Sequence, residues 1–568
     1  MRILLPFLLS ACIPAFGGMA AQAAEPAATA SFDWFDYRGS DPTDSQRPGP
    51  GDYRNPILQG FYPDPSITRV GADYYLVTST FAYFPGIPVF HSRDLVSWTQ
   101  IGNAITRNGQ LDFRNLGLSR GVFAPTISHR NGTFYILNTC VDCGGNFLIT
   151  ARDPAGPWSD PIWLPDLEGG IDPALFFDGD GRTWIVNNGP PEGMPRYSGH
   201  RAIWIQEFDL QQLRTTGPRR VLIDGGVDPS TNPIWIEGPH ILKVNGFYYL
   251  VCAEGGTALG HSQVVLRSNA VTGPYTPFPG NPILTQRDLP ADRPSPITSA
   301  GHAQLVQTPD GAWWTTFLAV RPYEGDFYNT GRETFLLPVT WADGWPRILP
   351  RDTPIPNTHR RPDLPRQQPP AIPTNGPFSL REEFNSPALA SYWMMARNPR
   401  ERWYDLQGGQ LRLVARPVQL GGMGNPSFLA RRQQHMNVEA STLLRFRPVR
   451  DGDEAGIATF QNDEHFFSLS VGREGSRSVV RLRRRAGPGD PTAGVVIATA
   501  PLPGASGASV RLRVSGDSRT YSFAYAGPRG PWRTLGPPQD GTILSTRTAG
   551  GFVGAVFGPF AVSQVPTR

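Results

Sequence analysis

Asn55-Pro56-Ile57-Leu58-Gln59-Gly60-Phe61-Tyr62-Pro63-Asp64-Pro65-Ser66-Ile67 leads, after a turn, into Asp73-Tyr74-Tyr75-Leu76-Val77. The phrase has a fixed grammar: a small or acidic residue, usually a proline, an apolar stretch, a turn, then aromatic residues entering a β-rich run. It returns as Ala124-Pro125-Thr126 with Phe134-Tyr135-Ile136, and as Asp172-Pro173-Ala174 with Trp184-Ile185-Val186. It returns again as Glu237-Gly238-Pro239-His240 with Phe247-Tyr248-Tyr249, and as Gly301-His302-Ala303 with Trp313-Trp314. Repetition at a period of about 50–65 residues marks a radial repeat fold. Each copy is a strand–turn–strand unit that cannot bury both faces alone. Five copies closed in a ring make a five-bladed β-propeller whose innermost strands line a channel. The phrase starts at the channel in every blade, so Asp64, Asp172 and Glu237 are expected to converge.

The chain of 568 residues is too long for one hydrophobic core. Glycine (62) and proline (59) are interleaved with 62 aromatic residues and β-branched runs, which favours many turns between short strands. Net charge is only +4 and Lys243 is the sole lysine. No basic stripe with interleaved aromatics suggests a nucleic-acid partner. The densest basic cluster, Arg481-Leu482-Arg483-Arg484-Arg485, reads as a solvated strand face or an edge guard.

Residues 1–23 read as an export signal: Arg2, an apolar run from Ile3 to Phe16, and Ala21-Gln22-Ala23 at the cleavage point. The protein is therefore expected in the periplasm or outside the cell. Leu9-Ser10-Ala11-Cys12 offers an alternative lipoprotein reading. No later apolar run reaches the roughly 18–20 residues of a membrane span. Cys140, Cys143 and Cys252 remain after cleavage; the first two suit a local disulfide or buried thiols better than a zinc site, which lacks a second ligand pair. Asp178-Gly179-Asp180-Gly181 reads as a hairpin turn, without the ligands of a calcium loop.

Residues 24–54 show no sustained periodicity and read as a flexible leader, and 55–350 hold the propeller. Eight prolines between Pro354 and Pro377 make 351–379 an extended linker. From 380 to 568, period-two runs such as Gln410-Leu411-Arg412-Leu413-Val414 and Val510-Arg511-Leu512-Arg513-Val514 argue for an antiparallel β-sandwich. The fold class is all-β. Gly550-Gly551-Phe552-Val553-Gly554-Ala555-Val556-Phe557-Gly558 reads as a core strand with its aromatics buried.

Cleaving a glycosidic bond needs one protonated carboxyl and one ionised carboxylate on opposite sides of the sugar. A third carboxylate raises the pKa of the acid, since like charges disfavour ionisation. Three acids in one channel meet that requirement, and no cofactor is needed.

These residues resemble glycoside hydrolase family 43. Asn55 to Ile67 is similar to its first-blade motif, and Thr78-Ser79-Thr80-Phe81 with Phe84-Pro85-Gly86-Ile87-Pro88-Val89-Phe90-His91-Ser92 to its β-xylosidase and arabinofuranosidase branch. Asp172-Pro173-Ala174 and Ile236-Glu237-Gly238-Pro239-His240 resemble the second and third acidic motifs. The resemblance implies Asp64 as general base, Glu237 as general acid, Asp172 as modulator and orienter, and inversion at the anomeric carbon. Arg332, in Gly331-Arg332-Glu333-Thr334, is implied as a sugar clamp, and Phe81 as a pocket aromatic. His302 matches a channel histidine that binds sugar or sits beside a structural calcium ion. Phe123 stands where relatives commonly carry tryptophan. The implied activity is exo-hydrolysis of terminal β-D-xylose or α-L-arabinofuranose from plant-cell-wall oligosaccharides, with the C-terminal sandwich packed on the propeller face and helping to close the pocket. A fructan-type propeller enzyme is the alternative, but its Arg-Asp-Pro and Glu-Cys motifs are here Ile171-Asp172-Pro173 and Glu237-Gly238. A non-catalytic carbohydrate-binding propeller would need no acid triad.

Overall fold

The computed structural model describes residues 28–502 and 507–563. The export-signal reading lies outside the described residues. Five antiparallel sheets form the propeller. Blade I comprises Ser66–Val70, Asp73–Val77, Gly86–Ser92 and Thr99–Ile105. Blade II comprises Thr126–Arg130, Thr133–Val141, Gly145–Ala151 and Ile162–Trp163, with Gly121–Val122 added beside the second strand. Blade III runs Ile171–Phe177, Thr183–Gly189, Ala202–Asp209 and Arg214–Asp224. Blade IV runs Glu237–Val244, Phe247–Glu254, Ser262–Ser268 and Thr276–Pro277, with Leu284–Thr285 beside the third. Blade V runs Thr298–Gln307, Trp313–Val320, Glu333–Ala342 and Trp345–Arg347.

The repeated phrase supplies the first two strands of each blade. Its innermost strands touch in ring order from blade I round to blade V and back to blade I. The Ser66 hydroxyl and the Ile67 amide both donate to Gln304 Oε1, at 2.6 and 2.8 Å, joining blade I to blade V. The segment before blade I clamps the same seam. Ile57 N donates to Thr334 O at 2.9 Å, and the Asn55 side chain exchanges two bonds with the backbone of Leu336. Asp178-Gly179-Asp180-Gly181 is a hairpin turn, closed by a Gly181 N to Asp178 O bond of 3.2 Å.

The second domain is a sandwich of a nine-stranded and an eight-stranded sheet over a large apolar core. Here the flexible-leader expectation for 24–54 fails. Thr29–Ser40 is an interior strand of the nine-stranded sheet, paired with Asn437–Arg445 on one side and with Leu411–Val414 and Phe378–Glu382 on the other. Phe32, Phe35 and Tyr37 are fully buried in the core. A bulge between Phe32 and Phe35 shifts the inward phase by one residue. That shift hides the period-two pattern from sequence reading. The linker is extended as expected but tied down: Thr358–Arg360 pairs with Asp52–Arg54, and Arg361 Nη2 donates to Asp94 Oδ2 at 2.6 Å.

The arginine cluster is also corrected. Arg477–Ala486 is an interior strand, flanked by His465–Glu474 and Val495–Pro501, and Arg481 and Arg485 are buried. Glu454 accepts from Arg481 and Arg483, and the Gly421 carbonyl accepts from Arg485 at 2.7 Å. Among the described residues no helix is long and apolar enough to cross a membrane.

The two domains share structure. Tyr83–Phe84, a short excursion from blade I, is the terminal strand of the eight-stranded sheet, pairing Phe84 with Met395 and Tyr83 with Ala396. One apolar cluster runs across the boundary through Phe61, Phe81 and Tyr83 to Phe428, Phe460 and Val556. Deleting residues 1–40 removes three buried aromatics at roughly 3–5 kcal/mol each. The loss rivals the whole stability of an ordinary domain, about 5–15 kcal/mol. The shortened protein is expected to lose the near-ultraviolet dichroism of a folded sandwich and to aggregate. A melting temperature within a few degrees of the intact chain would refute the assignment of this strand.

Candidate active site

Asp64, Asp172 and Glu237 each sit at the channel end of an innermost strand, and local backbone irregularity aims them. Asp64 and Asp172 take left-handed φ values of 55° and 56°. Bulges interrupt the ladders between Ile171 and Ala174 and between Glu237 and His240. A bulge bends the strand and turns a side chain off the regular in-out alternation. Gly238 serves the same geometry at φ 56°; a Cβ there would stand 2.9 Å from the His302 ring.

The three carboxyls line one cavity of about 390 Å³ together with Phe81, Phe123, His302 and Arg332. All seven residues expected from sequence are thus brought together. Arg332 lies against Asp64, with Nη1 to Oδ1 at 3.0 Å and Nη2 to Oδ2 at 3.4 Å. Its guanidinium faces the rings of Phe81 and Phe552 at 5.8 and 5.2 Å. The Ser79 hydroxyl donates to Asp64 Oδ2 at 2.5 Å, and the Gly238 amide to Asp172 Oδ2 at 3.0 Å.

Burial makes these acids unequal. It pushes the Asp172 carboxyl up to about 6, with His302 opposing the rise and Asp64 adding to it. Burial, then the negative charges of Asp172 and Asp64, hold the Glu237 carboxyl well above its ordinary value, against the pull of Arg332 and Arg201. One carboxyl raised by burial and like charge, with another paired to a guanidinium, is an arrangement suited to acid–base chemistry.

Arg120, Arg201, Trp235 and Phe552 are among the pocket residues that escaped the sequence reading. Arg201 precedes the third strand of blade III, outside the repeated phrase. It donates to Asn188 Oδ1 through Nε and Nη2, at 3.0 and 2.6 Å, and lies 5.0 Å over the Trp235 ring. Trp235 stands two residues before Glu237 in an apolar run, yet φ of 52° turns it outward and leaves it 40% exposed. Phe552 corrects the core-strand expectation. The strand begins only at Val556, where Phe557 is buried as expected. Phe552 instead stacks on Phe81 at 5.8 Å, and its amide is held by Ser119 Oγ at 2.8 Å. The sandwich therefore contributes one wall of the pocket.

The calcium ion suggested by resemblance is unconfirmed. Among the described residues no three His, Cys, Asp or Glu side chains are grouped to hold a metal. His240 and His261, whose charged forms His302 disfavours, are nitrogen donors, whereas calcium takes oxygen. Burial brings both down to about 3, so both rings stay neutral. Cys140 and Cys143 form a disulfide, and Cys252 is a buried thiol.

Phe552→Ala opens the wall while removing no charged group. The expected outcome is a loss of kcat/KM of about 10-fold or more, with a melting temperature within a few degrees of the parent, because the ring is only half-buried. Undiminished kcat/KM would show that the sandwich wall does not touch the reacting sugar.

The match to known proteins follows this division of the chain. The family model described as glycosyl hydrolases family 43 covers residues 53–346, and that of a β-xylosidase C-terminal concanavalin A-like domain covers 381–568. A xylosidase/arabinosidase of Butyrivibrio fibrisolvens is 43% identical over 423 residues, 73% of this chain and 79% of that protein. A non-reducing end α-L-arabinofuranosidase of Bacteroides ovatus is 35% identical over 524 residues, 90% of this chain and 91% of that protein. Among solved structures, a GH43_12 retrieved from capybara gut metagenome superposes with a TM-score of 0.86 at 38% identity, covering 95% of this chain and all of that one. Fold, domain order and sequence agree, and the chain belongs to glycosyl hydrolase family 43 as a glycoside hydrolase.

Proposed function

We propose that this enzyme is an exo-acting, inverting hydrolase that releases terminal β-D-xylose or α-L-arabinofuranose from plant-cell-wall oligosaccharides. The observation that carries the reading is the cavity itself: three buried carboxyls at its base, two of them, Asp172 and Glu237, raised by burial, and a wall supplied by a second domain. A wall from the second domain on one side of the cavity supports action at a chain end. The two curated relatives named above are a xylosidase/arabinosidase and a non-reducing end α-L-arabinofuranosidase, which supports both sugars.

Glu237, whose carboxyl burial and its acidic neighbours hold well above the ordinary value, donates its proton to the glycosidic oxygen as the bond breaks. Asp64 accepts a proton from a water attacking the anomeric carbon from the opposite side, so the configuration inverts in one displacement. Arg332 and Ser79 hold the Asp64 carboxylate in position through the contacts described above. Asp172 keeps the Glu237 proton in place through like-charge repulsion. Asp64 then yields its proton to solvent and Glu237 regains one. The disulfide supports export to an oxidising compartment, periplasmic or extracellular.

The two roles separate on aryl glycosides. Asp64→Asn is expected to lower kcat by about 10³-fold or more on every substrate, because water activation is lost. Glu237→Gln should retain most turnover on aryl xylosides and arabinofuranosides, whose leaving groups depart without protonation, and lose it on xylobiose. Equal losses on aryl substrates would exchange or void the assignment. A panel of aryl xyloside, aryl arabinofuranoside and sucrose tests the substrate class: release from neither pentoside would refute it.

The pH profile follows from the same charges. Activity needs protonated Glu237, so kcat/KM falls at the alkaline side as that proton leaves. Removing a negative neighbour makes the proton leave more easily. Asp172→Asn is therefore expected to move the alkaline limb toward lower pH by about one unit. A limb that stays put or moves upward would show that Asp172 does not set the proton affinity of Glu237.

A further inference from the structure

Beside the catalytic pocket, on the same end of the propeller, lies a groove of about 760 Å³ that the reaction described above does not use. Its lining includes Asn108, Asp112, Cys143, Asp160, Trp163 and Arg400. Strand direction fixes its position. Thr133–Val141 climbs to the active-site end, where Val141 lines the catalytic pocket. The chain reverses at the Cys140–Cys143 disulfide and descends as Gly145–Ala151. Ile162–Trp163, antiparallel to that strand, climbs again, so Trp163 returns to the pocket end one strand farther out. The disulfide turn is the ridge between the two: Val141 faces the pocket and Cys143 the groove.

Trp163 is built as a platform. Its ring lies against Gly144, where a Cβ would stand 2.3 Å from a ring carbon, so only glycine lets the ring lie so close to the backbone. The Phe147 ring packs against it in an edge arrangement at 5.6 Å. It is nevertheless 43% exposed. Around it, charge is already balanced: Arg107 pairs with Asp160 at 2.5 Å, and Arg114 Nε donates to Asp112 at 2.6 Å. An exposed indole face ringed by neutralised, hydrogen-bonding groups suits a neutral, hydroxyl-rich ring better than an ion.

We propose that this groove is a distal subsite for the leaving chain, holding a pyranose ring of the oligosaccharide on Trp163 after the chain crosses the disulfide ridge. The inference rests on the reading of the enzyme as an exo-glycosidase. The terminal sugar occupies the buried acids, so whatever leaves the mouth is the remainder of the chain. Its path over the ridge leads to Trp163.

The test uses the full chain, with kcat/KM measured from xylobiose to xylohexaose and on aryl xyloside. For the parent, kcat/KM is expected to rise with chain length. Trp163→Ala should remove that rise, about 3- to 10-fold on the longest substrates, and leave xylobiose and aryl xyloside unchanged. Trp163→Phe should keep most of it. A flat profile in the parent, an unchanged rise in Trp163→Ala, or an equal loss on aryl xyloside would each overturn the proposal. Calorimetric titration of xylohexaose into Asp64→Asn and Asp64→Asn/Trp163→Ala separates the two readings. Weaker binding in the double variant supports the groove even where the parent fails on pentosides, and equal binding refutes it.

Discussion

Charge held out of water at the junction of the two domains is the constraint on which the site depends. Arg321 is buried and bound on three sides: Nε and Nη2 donate to Glu333 at 2.6 and 2.9 Å, and Nη1 to Asp41 at 2.5 Å. Glu333 also accepts from the Gly60 amide, and Asp41 from Gln59 and from the Met436 amide of the sandwich. A buried ion without its partners is strongly destabilising, so the network permits one arrangement of these segments. That arrangement fixes Arg332, the neighbour of Glu333, against Asp64, four residues beyond Gly60. The guanidinium against Asp64, the proposed base, is positioned by a lattice of charges that spans blade V, the entry to blade I, the amino-terminal segment and the sandwich.

The pocket is accordingly a property of the whole chain. The propeller supplies the acids and the floor, while the sandwich supplies Phe552 and, by pairing with Tyr83–Phe84, holds the loop that carries Phe81. Excluding water on that side deepens the burial that raises Glu237 and Asp172. Packing and proton affinity are two readings of the same closure. A carboxyl whose folded-state pKa is raised costs stability when it ionises, and the enclosing core offsets that cost.

Much of this was legible in the sequence, for a physical reason. A propeller repeats one local solution five times, so Asp64, Asp172 and Glu237 declare their common location by phase alone. What broke the phase was lost. The bulge at Phe32–Phe35 disguised a core strand as a leader. Phe552 sat in a glycine-spaced run whose turn cannot be told from its strand by composition. Trp235 lies in an apolar run that gives no sign of a pocket residue, and its positive φ turns it to the pocket. Arg481 and Arg485 looked solvated because a buried arginine is recognised by its partner, and Glu454 is far away in the chain. Contacts between the two domains carry no periodic signal at all.

The central claim is that enclosure by the two domains makes Glu237 the proton donor. Carbon-13 NMR of the intact protein with labelled glutamate, with Glu237→Gln identifying the signal, titrates that carboxyl directly. The account predicts a midpoint well above the 4.5 of an unperturbed glutamate. A midpoint near 4.5 would mean that Glu237 is ionised at neutral pH and that the proton donor lies elsewhere.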